Sequence, residues 1–159
     1  MKKNIIIFIF LSLINCQEGP KAALDENFVE ANPKVVLPYP DLIGTYLLDE
    51  DSKKRFQLQD SIQMNLEIKK DTSVIFNNYI SLDERSLLNK KLKSKIYYIN
   101  DFTSIYLGLF NKEITTAGSL AIYYRKSDNK LALYAYIKPL QGQEHGDYLR
   151  YIKVKDSVK

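Results

Sequence analysis

The chain has no tryptophan, one cysteine, one histidine and two methionines among its 159 residues. A single cysteine excludes a disulfide within the chain. The histidine, His145, sits in "QGQEHGDYL" beside Glu144 and Asp147 and has no spaced histidine or cysteine partner elsewhere, so this stretch reads as a solvated loop rather than a metal site. The six glycines build no phosphate-cradling loop and no Gly-x-Ser-x-Gly elbow. Asp49-Glu50-Asp51 lacks the alternating ligands and glycine bend of a calcium loop and reads as an exposed acidic turn. No metal and no cofactor is expected. Paired carboxylates that meet only in space leave a hydrolase open as an alternative.

Long apolar runs are also scarce. The one present, Ile5 to Ile14, is interrupted only by Ser12 and preceded by Lys2 and Lys3. Ten helical residues reach about 15 Å, half of a hydrocarbon core of about 30 Å. The pattern is that of a secretory leader over residues 1–15. Cys16 follows at once, and Leu13-Ile14-Asn15-Cys16 resembles the lipobox of bacterial lipoproteins, with Asn15 where that family carries a small residue. The resemblance implies cleavage before Cys16, lipidation of its thiol, and a membrane partner reached through the lipid anchor. Two or more acyl chains make such an anchor stable. Gln17, in place of the aspartate that retains enterobacterial lipoproteins in the inner membrane, points to the outer membrane of the envelope.

Charge of one sign is not in marked excess. The formal net charge is +4. Without Lys2 and Lys3 the chain is near neutral, and no basic stripe in the sequence argues for nucleic acid. Residues 17–41 hold four of the five prolines, five acids and two lysines, with little apolar periodicity. With Cys16 they read as a lipidated flexible tether, 16–41. Residues 42–159 then form one domain, expected to be monomeric.

In that domain, alternation with period two dominates. Phe56, Leu58, Ile62, Met64, Leu66 and Ile68 fall on even positions between polar odd ones, which predicts a strand from Phe56 with a bend near Asp60-Ser61. "KKDTS" predicts a turn and "SVIFNNYI" the returning strand. Residues 81–91, "SLDERSLLNKK", carry the capping-box pair Ser81 and Glu84 and are the one short-helix candidate. "LIGTYLL", "KSKIYYI", "FTSIYLGLF", "SLAIYYRK", "KLALYAYIK" and "DYLRYIKVK" complete about eight strands. The expected fold is mostly β, an antiparallel barrel or sandwich.

Gly44 and Tyr46 in "LIGTYLL", with Arg150 in the last strand, resemble the signature of lipocalin or calycin-like barrels. Those open with Gly-x-Trp and pack a late basic residue over the tryptophan. The resemblance implies that Arg150 lies over the Tyr46 ring. The hairpin over 120–138 supplies a candidate surface. With Asp128-Asn129 as a two-residue loop, Tyr123 faces Tyr134, and Tyr136 and Arg125 share their face, opposite an aliphatic one. Tyr123, Arg125, Tyr134 and Tyr136 are therefore the expected ligand or partner surface, since tyrosine buries area at low entropy cost. The expected activity is non-enzymatic binding of a small ligand. A protein-interaction module, either an envelope assembly factor or an inhibitor of a secreted enzyme, stands as the alternative.

Overall fold

The computed structural model describes residues 25–32, 34–35, 37–80, 87–100, 105–109, 119–139 and 146–156. Nine strands and two short helices follow in chain order: β1 (Phe28–Glu30), α1 (Tyr39–Leu42), β2 (Gly44–Leu48), α2 (Glu50–Arg55), β3 (Asn65–Ile68), β4 (Ser73–Ile80), β5 (Leu87–Asn100), β6 (Ile105–Leu109), β7 (Ser119–Arg125), β8 (Leu131–Ile137) and β9 (Asp147–Asp156). Each strand from β2 to β9 pairs antiparallel with the next, and β9 returns to β2. The result is a closed eight-stranded antiparallel barrel, so the sandwich is excluded. Closure removes the open edges that an exposed sheet would present.

Among the described residues, the interior is lined by the apolar set that alternation predicts. Tyr46, Leu66, Ile68, Phe76, Leu107, Leu120, Ile122, Leu133 and Tyr151 are all buried to within 1 % exposure. Phe76 meets Tyr151 edge to face with ring centroids 6.2 Å apart. Tyr46 donates its hydroxyl to the Leu42 carbonyl at 2.7 Å, which satisfies a polar tip inside the core. Gly44 opens β2 at φ 149°, a backbone region that glycine alone enters freely. An eight-stranded barrel is just wide enough for side chains to fill it.

The strand expected from Phe56 begins only at Asn65. Residues 50–55 form α2, capped by Asp49, whose carboxylate accepts from the Ser52 N–H at 2.8 Å. Its acids lie in the first turn and its cations in the last, as the helix dipole favours. Phe56, Leu58 and Ile62 still pack on the core, but from an irregular segment rather than a ladder. Their alternation reports burial, which a crossing loop can supply as well as a strand. In the proposed helix 81–91, residues 81–86 lie outside the described residues, and the remainder belongs to β5. The "KKDTS" turn is present, with Lys69 N–H bonded to the Ser73 carbonyl at 2.9 Å.

The expected tether is, in its described part, attached to the barrel. β1 pairs with the end of β7, Phe28 with Arg125 and Glu30 with Tyr123, on the flank that β6 vacates beyond the Tyr106–Ala121 pair. Ala31 then enters the core and donates its N–H to the Ile122 carbonyl at 2.9 Å. Three residues of strand are too short to show a period, and the contacts that hold them are distant in sequence.

Candidate functional site on the outer wall

Arg150 lies on the outer face of β9, because Tyr151, its neighbour, points inward opposite Leu48. It therefore projects away from Tyr46 and does not cover that ring. Its guanidinium stacks instead on Phe28 of β1, 4.1 Å from the ring centroid. The physical reason is parity: residues 46 and 150 leave opposite faces of the same wall.

The guanidinium makes four side-chain hydrogen bonds. Nε bonds the Asp49 carboxylate, Nη2 bonds Asp51 at 2.9 Å, and Nη1 reaches Asp25 at 2.5 Å and the Tyr134 hydroxyl at 3.4 Å. Its backbone is held as well, with the Arg150 N–H on Ser52 Oγ at 2.9 Å and the Asp49 N–H on the Arg150 carbonyl at 2.9 Å. Burial opposes the charge, but the Tyr134 hydroxyl and the Asp49 and Asp25 carboxylates outweigh it and raise the Arg150 pKa. Burial also disfavours the Asp25 anion, yet the Asn27 N–H and Arg150 together hold its carboxyl below the usual range. One cation thus ties three elements together: the N-terminal strap, the start of α2, and β9. Asp49-Glu50-Asp51 is accordingly a helix cap and first turn with one buried member, not a free acidic turn; the Asp49 side chain is 9 % exposed.

The tyrosine face exists, in a different register. The β7–β8 loop has four residues, 126–129, closed by Arg125 N–H on the Lys130 carbonyl and Asn129 N–H on the Arg125 carbonyl, both at 2.8 Å. Asn129 takes the left-handed conformation at φ 55°. The wider loop moves the pairing by two residues, so Tyr123 opposes Ala132 and Tyr134 opposes Ala121. A shift of two preserves the faces. Arg125 turns back onto Asp128, with Nε at 2.9 Å and Nη2 at 2.6 Å. That fork favours the four-residue loop and engages the cation that the sequence offered for an anionic group.

Tyr123 stacks on Tyr134 at 4.1 Å and 14°, while Phe28 and Tyr148 meet Tyr134 at 6.0 and 5.7 Å. Tyr134 is consequently buried on the outside of the barrel, beneath the strap. Burial pushes its hydroxyl up to about 12. Tyr136 is half-buried against Tyr148, centroids 5.3 Å apart. The structure thus brings Tyr123, Tyr134, Tyr136 and Arg150 onto one wall, and half of this face is an outer core rather than an open platform. Cys16, Glu144 and His145 lie outside the described residues. Asp147 starts β9 and accepts from Arg55 Nε at 3.0 Å.

A cleft of about 490 Å³ opens beside Arg150, between the strap residues Asn27 and Phe28, the start of α2, and the β7–β8 loop. Its floor is the outward stripe Leu47, Ile152 and Val154, of which Leu47 and Val154 are exposed large apolars. The sequence reading missed Asp25, Phe28, Asp49 and Asp51. The acid-first, base-last pattern of residues 49–55 was the available signal for α2. Nothing local marked the strap. Asp25 stays ionised and Tyr134 stays protonated near neutrality, so neither is tuned for proton transfer in that range.

The site and fold define an eight-stranded antiparallel barrel with a strapped outer wall, consistent with a calycin-like layout. Compared with known protein families, curated proteins and solved structures, the chain matches none. Among the described residues, no helix is long and apolar enough to cross a membrane.

Proposed function

We propose that this chain is a lipid-anchored protein of the bacterial envelope, held through Cys16 at the outer membrane, which acts as a monomer by binding a protein partner on the outer wall of its barrel. The leader, Cys16 and Gln17 support the anchor and its location. The observation that supports the binding reading is the packing of the described interior: Tyr46, Phe76, Tyr151 and the aliphatic residues around them are buried to within a few per cent where a hollow barrel of this layout would hold a small ligand. Recognition then falls to the outside, where Leu47 and Val154 are exposed in a cleft rimmed by charges of both signs. Small-ligand binding is the second reading, favoured by a cleft volume within the range of small-molecule sites.

Two measurements test this. Fractionation of cells carrying Cys16→Ser is expected to find the protein released or left as an uncleaved precursor; normal processing and membrane retention would refute the anchor. Crosslinking from the cleft floor is expected to give a discrete protein adduct that Leu47→Asp abolishes. An adduct unaffected by Leu47→Asp would refute the cleft as the binding surface.

A further inference from the structure

The wall opposite β9 carries a second surface. In the closed order of strands, β5 stands four positions from β9 whichever way the barrel is traversed. Leu92, Ser94 and Ile96 of β5 turn inward, so Lys91, Lys93, Lys95 and Tyr97 line its outer face at every second residue. Their neighbours across β4 are Asn77, Ile75 and Ser73, none of them acidic. Lys95 is engaged by Asp71 at 3.7 Å. Lys91 and Lys93 are exposed and have no carboxylate partner among the described residues; Lys70 in the β3–β4 turn and Lys90 are in the same position. At the end of the row, Tyr97 is 45 % exposed, and its ring lies against Gly108 of β6, where any Cβ would collide with it.

We propose that this face of β5 binds a linear acidic polysaccharide. The row from Lys91 to Tyr97 extends about 20 Å at the rise of a strand. A row of that length suits an extended polymer rather than an enclosed ligand. The charges are lysines, point cations that accept carboxylate, phosphate or sulfate without a demanding geometry. Tyr97, 45 % exposed with its ring against Gly108, adds one aromatic surface at the end of the lysine row. A surface built for single-stranded nucleic acid would instead stack successive bases on several rings. Placement agrees with an envelope polymer, and here the inference rests on the proposed anchor. Eight residues lie between Cys16 and Asp25, and the nine steps between the two Cα atoms reach roughly 30 Å at most. Asp25 is fastened to Arg150 of β9, and β5 is the strand farthest from β9 round the barrel.

The test uses the purified full-length protein in neutral detergent, with a fluorescent heparin oligosaccharide as probe and anisotropy as readout. It is therefore independent of whether the lipid anchor holds. Wild type is expected to bind at 50 mM salt and to weaken steeply toward 200 mM, as polyanion binding does. Lys91→Gln with Lys93→Gln is expected to lower affinity at least tenfold and to flatten the salt dependence. Tyr97→Ser is expected to lower affinity several-fold with the salt dependence unchanged. Lys93→Glu serves as a second charge variant, and circular dichroism checks that all variants fold. Failure of wild type to bind, charge variants that bind like wild type, or tighter binding of an oligonucleotide or of anionic vesicles would each overturn the proposal.

Discussion

Replacing Arg150 by methionine tests whether one buried cation holds the strap, α2 and β9 together. Methionine keeps much of the length and apolar bulk against Phe28 and removes the charge. The three carboxylates then weigh unequally. Asp51 is 62 % exposed, so its pair contributes about 0–1 kcal/mol. Asp49 and Asp25 are 9 % and 20 % exposed, and removing their shared cation leaves poorly solvated negative charge. Breaking a buried pair in this way costs about 3–5 kcal/mol. The loss expected is therefore about 4 kcal/mol, or a fall in Tm of roughly 15 °C at about 3–5 °C per kcal/mol, between the slopes for domains of about 100 and about 150 residues. Urea and thermal unfolding followed by circular dichroism measure it. Asp25→Asn alone is expected to cost about 1 kcal/mol, and nothing further in the Arg150→Met background, because the two residues act through one contact. A loss below about 1 kcal/mol for Arg150→Met, or full additivity with Asp25→Asn, would refute the reasoning.

Tyr134 and Tyr136 should separate in the same assay: Tyr134→Ser opens a hole beneath the strap and is expected to cost about 3–5 kcal/mol, whereas half-buried Tyr136→Ser should cost about 1 kcal/mol or less. Acid should loosen the strap with a defined sign. The folded Asp25 pKa is depressed from 3.8, so its contribution is complete above that value and lost as pH falls through the depressed one; faster hydrogen exchange at the Ala31 N–H below about pH 4, with the barrel core still protected, is the expected observation. Gly44→Ala is expected to destabilise by about 1–3 kcal/mol, because alanine at φ 149° is strained whatever space surrounds it; a neutral result in urea unfolding would show that β2 re-forms with a different start.

The barrel was legible in the sequence because period-two alternation dominates its strands, and alternation survives errors of register by two. β7 and β8 illustrate the point: the pairing differs by two residues from the simplest hairpin, yet Ile122 and Leu133 still face inward and Tyr123 and Tyr134 still face outward. What decided the register was the Asp128 carboxylate gripping Arg125, a side-chain contact that no periodicity encodes. Alternation also misleads where it reports burial without a ladder, as at Phe56, Leu58 and Ile62. The strap was not legible at all. Its prolines and acids resemble those of a disordered segment, and the cation that holds Asp25 comes 125 residues later. Tyr46 and Arg150 were expected on one face, and the structure puts them on opposite faces of the wall. Parity along a strand is visible in a sequence, whereas the parity of one strand relative to another depends on the register between them.

Opposite walls of this barrel place their charges under different physical constraints. Around Arg150 every charged atom has a close partner, so substitution there alters stability and any binding property together. Along β5, Lys91 and Lys93 are exposed and have no carboxylate partner among the described residues. Removing one charge there leaves no unpaired partner behind, and surface changes of this kind alter stability by about 0.5 kcal/mol or less. A row of like charges repels itself by a similar small amount, so neutralising Lys91 and Lys93 should leave the protein as stable as wild type or slightly more so. The folded state therefore gains nothing from the row. If Lys91→Gln with Lys93→Gln melts at or above the wild-type temperature while heparin binding falls, the cations serve recognition and not the fold. A drop in Tm of several degrees would instead show that their stems are needed to cover the sheet.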